Sequence, residues 1–289
     1  KCEEIHMHGF NSMFDMDLRS CTDLYLNSDR HNDNNLRLSD NWRPIWQSLF
    51  KEFPKTLLSV EQDLKTIKST NVENYLTAIQ YLYPLKESCI FAKTANCSKD
   101  CLKDSNNSII FESINIYRLR KALFKIQYPL EYLKLLKKDI EKFIIKCTKR
   151  KLKPAIRLNG ISDYIYENDY LIFNEVIKHY TIKNNVKFYD YTKNALRDTQ
   201  GYIDLTFSYS GMPRYRKYVD IALKNRMRIA TVFQDKETLN RYIKQGFLKR
   251  KVISGDKHDL TFIHNTNIIL GLSAKGFLKH DKNNPFVVR

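Results

Sequence analysis

The sequence predicts an α/β fold: a parallel-strand β/α domain, barrel-like or partly open, preceded by a helical N-terminal region. Three observations carry this expectation. From Lys153 onward, short apolar runs alternate with amphipathic segments, the pattern of successive βα units and a parallel sheet. The composition is globular, with 43 % hydrophobic, 12 % aromatic and 28 % charged residues and only 8 Gly and 7 Pro in 289, which excludes disordered and collagen-like chains. The mean hydropathy is −0.50, and no apolar run approaches the ~20 residues of a membrane-crossing helix.

Residues 1–41 are polar and rich in Asn and Asp; "NSDRHNDNNLRLSDN" reads as loop, and His6 and His8 as surface residues. A helical block is expected from about Trp42 to Tyr83. Within it Val72, Tyr75, Leu76, Ile79 and Leu82 recur at helical spacing before Pro84. Residues 1–88 are thus expected to form a polar segment plus a helical region, and residues 89–289 a β/α domain entered through a Cys-containing loop. Two helices come after that loop. The second, from about Pro129 to Arg150, places Leu133, Leu136, Ile140, Phe143, Ile144 and Cys147 on one face. Its other face carries a run of lysines that includes Lys138 and Lys142.

The strand-like runs come next: 155–160, 186–192, 203–210, 228–233, 249–256 and 267–272. Helices are expected at about 169–180, from Pro213, and at 236–246 closed by Gly246.

Each apolar run ends in polar residues, and the pattern is regular. Asn159, Gly160, Ser162 and Asp163 succeed the first, and Asp190, Thr192 and Lys193 end the second. Ser208, Ser210 and Gly211 come third, then Gln234 and Asp235, then Ser254, Gly255, Asp256 and Asp259, then Gly271, Ser273, Lys275 and Gly276. In parallel α/β folds the carboxyl ends of the strands share one rim, where ligands bind. The same residue types are also ordinary turn and cap residues. Asp163, Asp190, Lys193, Asp256 and Asp259 are the candidate catalytic groups, as general acids and bases or ligands of a divalent metal. Arg157, Asn159, Ser162, Ser208, Ser210 and Lys275 are the candidate substrate contacts. Arg157 lies inside an apolar run and needs a partner, either Asp163 or Asp190 or a substrate phosphate. "SYSG" lacks the first glycine of a nucleophile elbow, and neither G-x-x-x-x-G-K-[ST] nor G-x-G-x-x-G is present.

Cys89, Cys97 and Cys101 stand in one polar loop as C-x7-C-x3-C. Three thiolates so close in sequence suit zinc or an iron–sulfur cluster; buried thiols or a disulfide are the alternatives. No signal-peptide pattern opens the chain, and a chain this long does not depend on disulfides. An intracellular, cytoplasmic setting is expected.

Lys and Arg number 49 against 32 Asp and Glu, a net charge of +17. Residues 1–100 carry a net −2 and residues 101–289 a net +19. A basic domain attracts polyanions such as DNA or RNA. "PRYRKY" adds Arg214, Arg216 and Lys217 between tyrosines, able to contact phosphates and stack on bases. An AT-rich coding bias would raise Lys, Asn, Ile and Tyr in the same way.

As an ordered set, "RLNGISDY", "FYDYTK", "LTFSYSG", "RIATVF", "SGDKHDL" and "GLSAKG…FVV", after the Cys loop, resemble the mycobacteriophage gene-product-eighty-eight-like proteins, a phage- and plasmid-borne family. The resemblance covers about residues 89–289. It implies a phage or mobile-element origin, an α/β domain and a Cys-containing entry segment. Its motif positions here are Arg157, Asn159, Ser162, Asp163, Tyr189, Asp190, Tyr191, Thr192, Lys193, Ser208, Ser210, Gly255, Asp256, Asp259, Lys275 and Gly276. The Cys loop departs from the family pattern, in which a Pro usually stands beside the first Cys.

The leading expectation is an enzyme with a strand-end site acting on nucleic acid or a phosphate-bearing substrate. A variant is cluster-dependent radical chemistry, although the usual C-x3-C-x2-C spacing is missing. The alternatives are a non-enzymatic nucleic-acid-binding accessory protein and a structural or host-interaction viral protein.

Overall fold

The computed structural model describes residues 65–67, 74–97, 101, 112–275, 278 and 283–289. The expectations placed on residues 1–64, including His6 and His8, lie outside the described residues, as does Gly276.

Strand β1 (Lys65–Ile67) pairs antiparallel with β2 (Tyr75–Ile79). Two helices come next, α1 (Glu112–Gln127) and α2 (Pro129–Lys149), then β3 (Lys153–Arg157). Helix α3 is built of Tyr170–Ile172, a π-helical stretch Phe173–Lys178 and His179–Asn184. It ends at Asn185 in the left-handed conformation, an ordinary helix stop. Then come β4 (Lys187–Thr192), β5 (Ile203–Ser208), α4 (Arg216–Lys224), β6 (Arg228–Phe233) and α5 (Lys236–Gln245). The chain closes with β7 (Val252–Ser254), β8 (Ile269–Ser273) and β9 (Val287–Val288).

The sheet order is β1-β2-β3-β4-β5-β6-β8-β7, with β9 also on β6. The seven strands from β2 to β7 along this order are all parallel and curl into a half-barrel. Register explains why the helices lie on one side. Ala78 pairs Ile156, Ile156 pairs Phe188, Phe188 pairs Ile203, Phe207 pairs Ile229, and Ile229 and Val252 both pair Ile269. Paired residues share a face, so this apolar row lines one side, where it packs with residues of the helices in two hydrophobic clusters. The buried face of α2 is Tyr132, Leu133, Leu136, Ile140, Phe143 and Cys147, the stripe that its spacing foretells.

One expected element changes. Residues 65–67, inside the expected helical block, form β1, and residues 75–79 form β2, not part of a helix. Its residues 76–79 are buried on both faces, and a strand buried on both sides reads as a continuous apolar run that mimics helical spacing.

Two connections shape the rim. Parallel neighbours β4 and β5 are joined by residues 193–202 without a helix. β5 pairs β6 as far as Ser208–Ala230, and β9 takes up the same β6 further on, at Val232 and Phe233. The C-terminal segment is thus threaded over the carboxyl end of β5. There Gly211 N donates to Pro285 O at 2.7 Å. A Cβ at Gly211 would meet that oxygen at 2.8 Å, so the close approach requires glycine.

Candidate active site at the carboxyl rim

Side chains alternate along β4. Phe188 faces the helices, so Tyr189, Tyr191 and, one residue past the strand, Lys193 point to the inner face. Lys193 Nζ donates to Ser208 Oγ at 2.8 Å and lies 3.5 Å from Ser208 O, at the end of β5. The Phe286 ring covers the ammonium, 4.4 Å from Nζ to its centroid. Lys193 is 8 % exposed and Ser208 half-buried. Buried Tyr215 bolts the two strand ends together: its hydroxyl donates to Lys193 O at 2.6 Å and lies 3.3 Å from Ser208 O. Burial pushes the Lys193 ammonium below its ordinary pKa, against the pull of Cys97, Asp163, Cys89 and Cys101.

Beneath it sits a buried charge cluster. Arg197 Nε and Nη2 donate to the Glu167 carboxylate at 2.7 and 2.8 Å, while Nη1 stands 3.6 Å from Asp163 Oδ1 and 3.9 Å from Asp190 Oδ2. The Arg197 side chain is fully buried. Asp163 Oδ2 accepts Lys193 N at 2.7 Å. Asn159 Nδ2 donates to Asp190 Oδ2 at 2.5 Å, and its Oδ1 accepts from Ser162 Oγ at 2.8 Å. Burial, partly opposed by Arg197, raises the Asp190 carboxyl to about 8 and raises Asp163 as well. Arg197 is held above its ordinary value because its carboxylates outweigh the cost of burial.

The Cys loop is clamped onto this rim. Ser210 Oγ donates to Ala95 O at 2.7 Å, Arg214 Nε to Thr94 O at 3.2 Å and Arg214 Nη2 to Lys93 O. Asp163 N donates to Ser88 O at 3.2 Å. Burial, with Asp163 adding, pushes the Cys89 thiol up to about 12. Cys89, Cys97 and Cys101 form no disulfide. Their sulfurs suit zinc or an iron–sulfur cluster by type. Among the described residues, however, no three His, Cys, Asp or Glu side chains stand in position to hold one metal ion.

Other predicted residues go elsewhere. Arg157 finds neither Asp163 nor Asp190 as its close partner. Its Nη1 donates to both Asp259 oxygens at 2.7 Å and Nη2 to Gly160 O at 3.0 Å. Tyr189 Oη donates to Asp259 Oδ2 at 3.0 Å. Burial disfavours the Arg157 charge, but Asp259 and the neighbouring tyrosines outweigh it and raise its pKa. The reason is topological. The segment between β7 and β8 folds across the inner face, packing Leu260 on Ala155 and Tyr189, and it delivers Asp259 there. Asp256 is exposed and accepts Ser273 N and Oγ, the latter at 2.7 Å. Lys275, Lys138, Lys142 and Lys217 are exposed, and Arg216 pairs with Asp220 at 3.0 Å on the surface. Thus Lys193, Ser208, Asp163, Asp190, Asn159, Ser162, Ser210 and the Cys loop come together; Asp256 and Lys275 do not join them.

A family model described as Gene product 88 matches residues 55–288. The chain belongs to this family. No curated protein and no solved structure matches it. The gene product 88 match begins before β1 and ends in β9, so it takes in the whole described sheet, including β1 and β2, which lie upstream of the expected start at 89. No helix among the described residues is long and apolar enough to cross a membrane.

Within this gene product 88 domain, sequence reasoning missed Arg197, Tyr215 and Phe286. A signal for Arg197 existed: a lone Arg in a connection too short for a crossover helix. Tyr215 hid inside "PRYRKY", and nothing in the sequence placed Phe286 over Lys193.

Proposed function

We propose that this chain is an enzyme acting on a phosphate-bearing, nucleic-acid-like substrate at the carboxyl rim of the half-barrel. One observation carries the reading. Lys193 is a buried ammonium at the carboxyl end of the inner face, 2.8 Å from a half-buried serine hydroxyl. Among the described residues it makes no ion pair with a carboxylate. A buried cation without a paired counter-charge favours an anionic ligand. The net +19 over residues 101–289 would raise the local concentration of a polyanion, with exposed Lys138, Lys142, Arg216 and Lys217 contributing. Arg214 is committed to the Cys loop and would contribute mainly charge. Asp163 and Asp190 would act by fixing Lys193 and Asn159, not by touching substrate.

Fluorescence anisotropy with end-labelled single- and double-stranded oligonucleotides tests this. Binding at low salt, steeply weakened by added salt, together with cleavage or transfer products lost in Lys193→Gln, is the expected result. No binding at low salt overturns it.

A second reading is favoured by the position of the Cys loop. It comes after β2, the first parallel strand of the curled sheet, where a cluster-dependent barrel enzyme would hold its metal. Cys89, Cys97 and Cys101 would supply the ligands after the loop reshapes. Zinc or a brown iron–sulfur spectrum in anaerobically purified protein would support it, and metal-free protein would remove it.

A further inference from the structure

The geometry points to Ser208 as a covalent nucleophile with Lys193 as its general base. This rests on the proposal that the rim is the active centre, and deepens it by assigning the reaction.

Three serines stand where β3 and β5 end, and the structure distinguishes them. Ser162 and Ser210 are buried, and their hydroxyls are spent on Asn159 and on Ala95 O. Ser208 is half-buried, and its Oγ meets only the Lys193 ammonium, at 2.8 Å, among the hydrogen bonds of the described residues. When the amine is neutral the same contact reverses, and the hydroxyl donates to Nζ. Neutrality is made accessible by burial, which lowers the lysine pKa. Asp163, Cys89, Cys97 and Cys101 oppose that shift, and the Phe286 ring lies over the ammonium, 4.4 Å from Nζ to its centroid. Tyr215 ties both residues by their backbone carbonyls, which fixes the pair where β4 and β5 end.

In the reaction, Lys193 Nζ takes the Ser208 hydroxyl proton as Oγ bonds to the phosphorus of a phosphodiester. The phosphorus–oxygen bond to the leaving alkoxide breaks, and the ammonium returns the proton to that oxygen. A phosphoserine diester remains on the chain. Water or a second hydroxyl then gives its proton to Nζ and bonds to the phosphorus, the phosphorus–Oγ bond breaks, and the ammonium returns the proton to Oγ, which restores the dyad.

A fluorophosphonate probe reports the first half directly: the Oγ–P bond forms, fluoride leaves, and the proton passes to Nζ. Full-length protein is treated with the probe, and the site is mapped by peptide mass. Labelling at Ser208 is expected, faster with rising pH as the amine loses its proton. Ser208→Ala should remove the label. Lys193→Arg keeps a donor but no base at this pH, and should slow labelling about 100-fold. If Lys193→Arg does not fold, as judged by circular dichroism, the mapped label in wild type against Ser208→Ala decides alone. No label at Ser208, or equal rates in folded Lys193→Arg, overturns the dyad. Oligonucleotide binding without labelling sinks the dyad and leaves the rim proposal standing. Labelling without binding sustains the dyad and removes nucleic acid as its substrate.

Discussion

The carboxyl ends of β3, β4 and β5 and those of β7 and β8 carry the same residue types and treat them oppositely. In the first group Asn159, Asp163, Asp190, Lys193 and Ser208 are largely buried and linked through Arg197, Tyr215 and the Cys loop. In the second, Asp256 caps Ser273 in solvent and Lys275 is exposed. A polar strand end is a turn until something covers it. Here the cover is supplied by the short β4–β5 connection, the Cys loop and the β9 segment.

The largest test of this contrast is Arg197→Ala. It strands Glu167, Asp163 and Asp190 without their shared cation. A loss of about 3–5 kcal/mol in chemical denaturation is expected. A loss no greater than that of a surface substitution would break the contrast.

Asp259→Ala comes next. It leaves Arg157, buried on the inner face, without its carboxylate. Since Asp259 is itself partly exposed, about 1–3 kcal/mol is expected. The change is also expected to loosen the β7–β8 segment, read as faster hydrogen exchange around Leu260.

The third concerns pH. Asp190 folds with its carboxyl raised to about 8, from an ordinary 3.8, and Asp163 shifts the same way. Between those values the folded chain holds more protons than the unfolded one, so their contribution to stability falls as pH rises and is lost through about 8. Asp190→Asn should keep the bond from Asn159 and flatten the decline of Tm between about pH 4 and 8. An unchanged slope would mean that the Asp190 charge is compensated elsewhere.

Asp256→Ala should cost least, below about 1 kcal/mol, because its partners remain in water. A cost equal to that of Asp259→Ala would put both rims on the same footing.

Much of the fold was legible in the sequence. The β4 run, the β6 run and α5 fall where alternation and capping put them, and Asp235 caps α5 by accepting Thr238 N at 2.8 Å. The α2 stripe reads directly from spacing. β2 was not legible, because burial on both faces erases the period that separates strand from helix. β9 was not either, since two residues carry no period at all.

The sequence by itself determined the alternation of β and α, the basic C-terminal two thirds and the short list of polar residues at strand ends. Those arise from local spacing and counting. Only the tertiary structure decided that the helices share one face, that Arg157 belongs to Asp259, and that Lys193 meets Ser208 under Phe286. Each of those depends on register between strands distant in sequence and on what covers a residue, and no window along the chain contains that information.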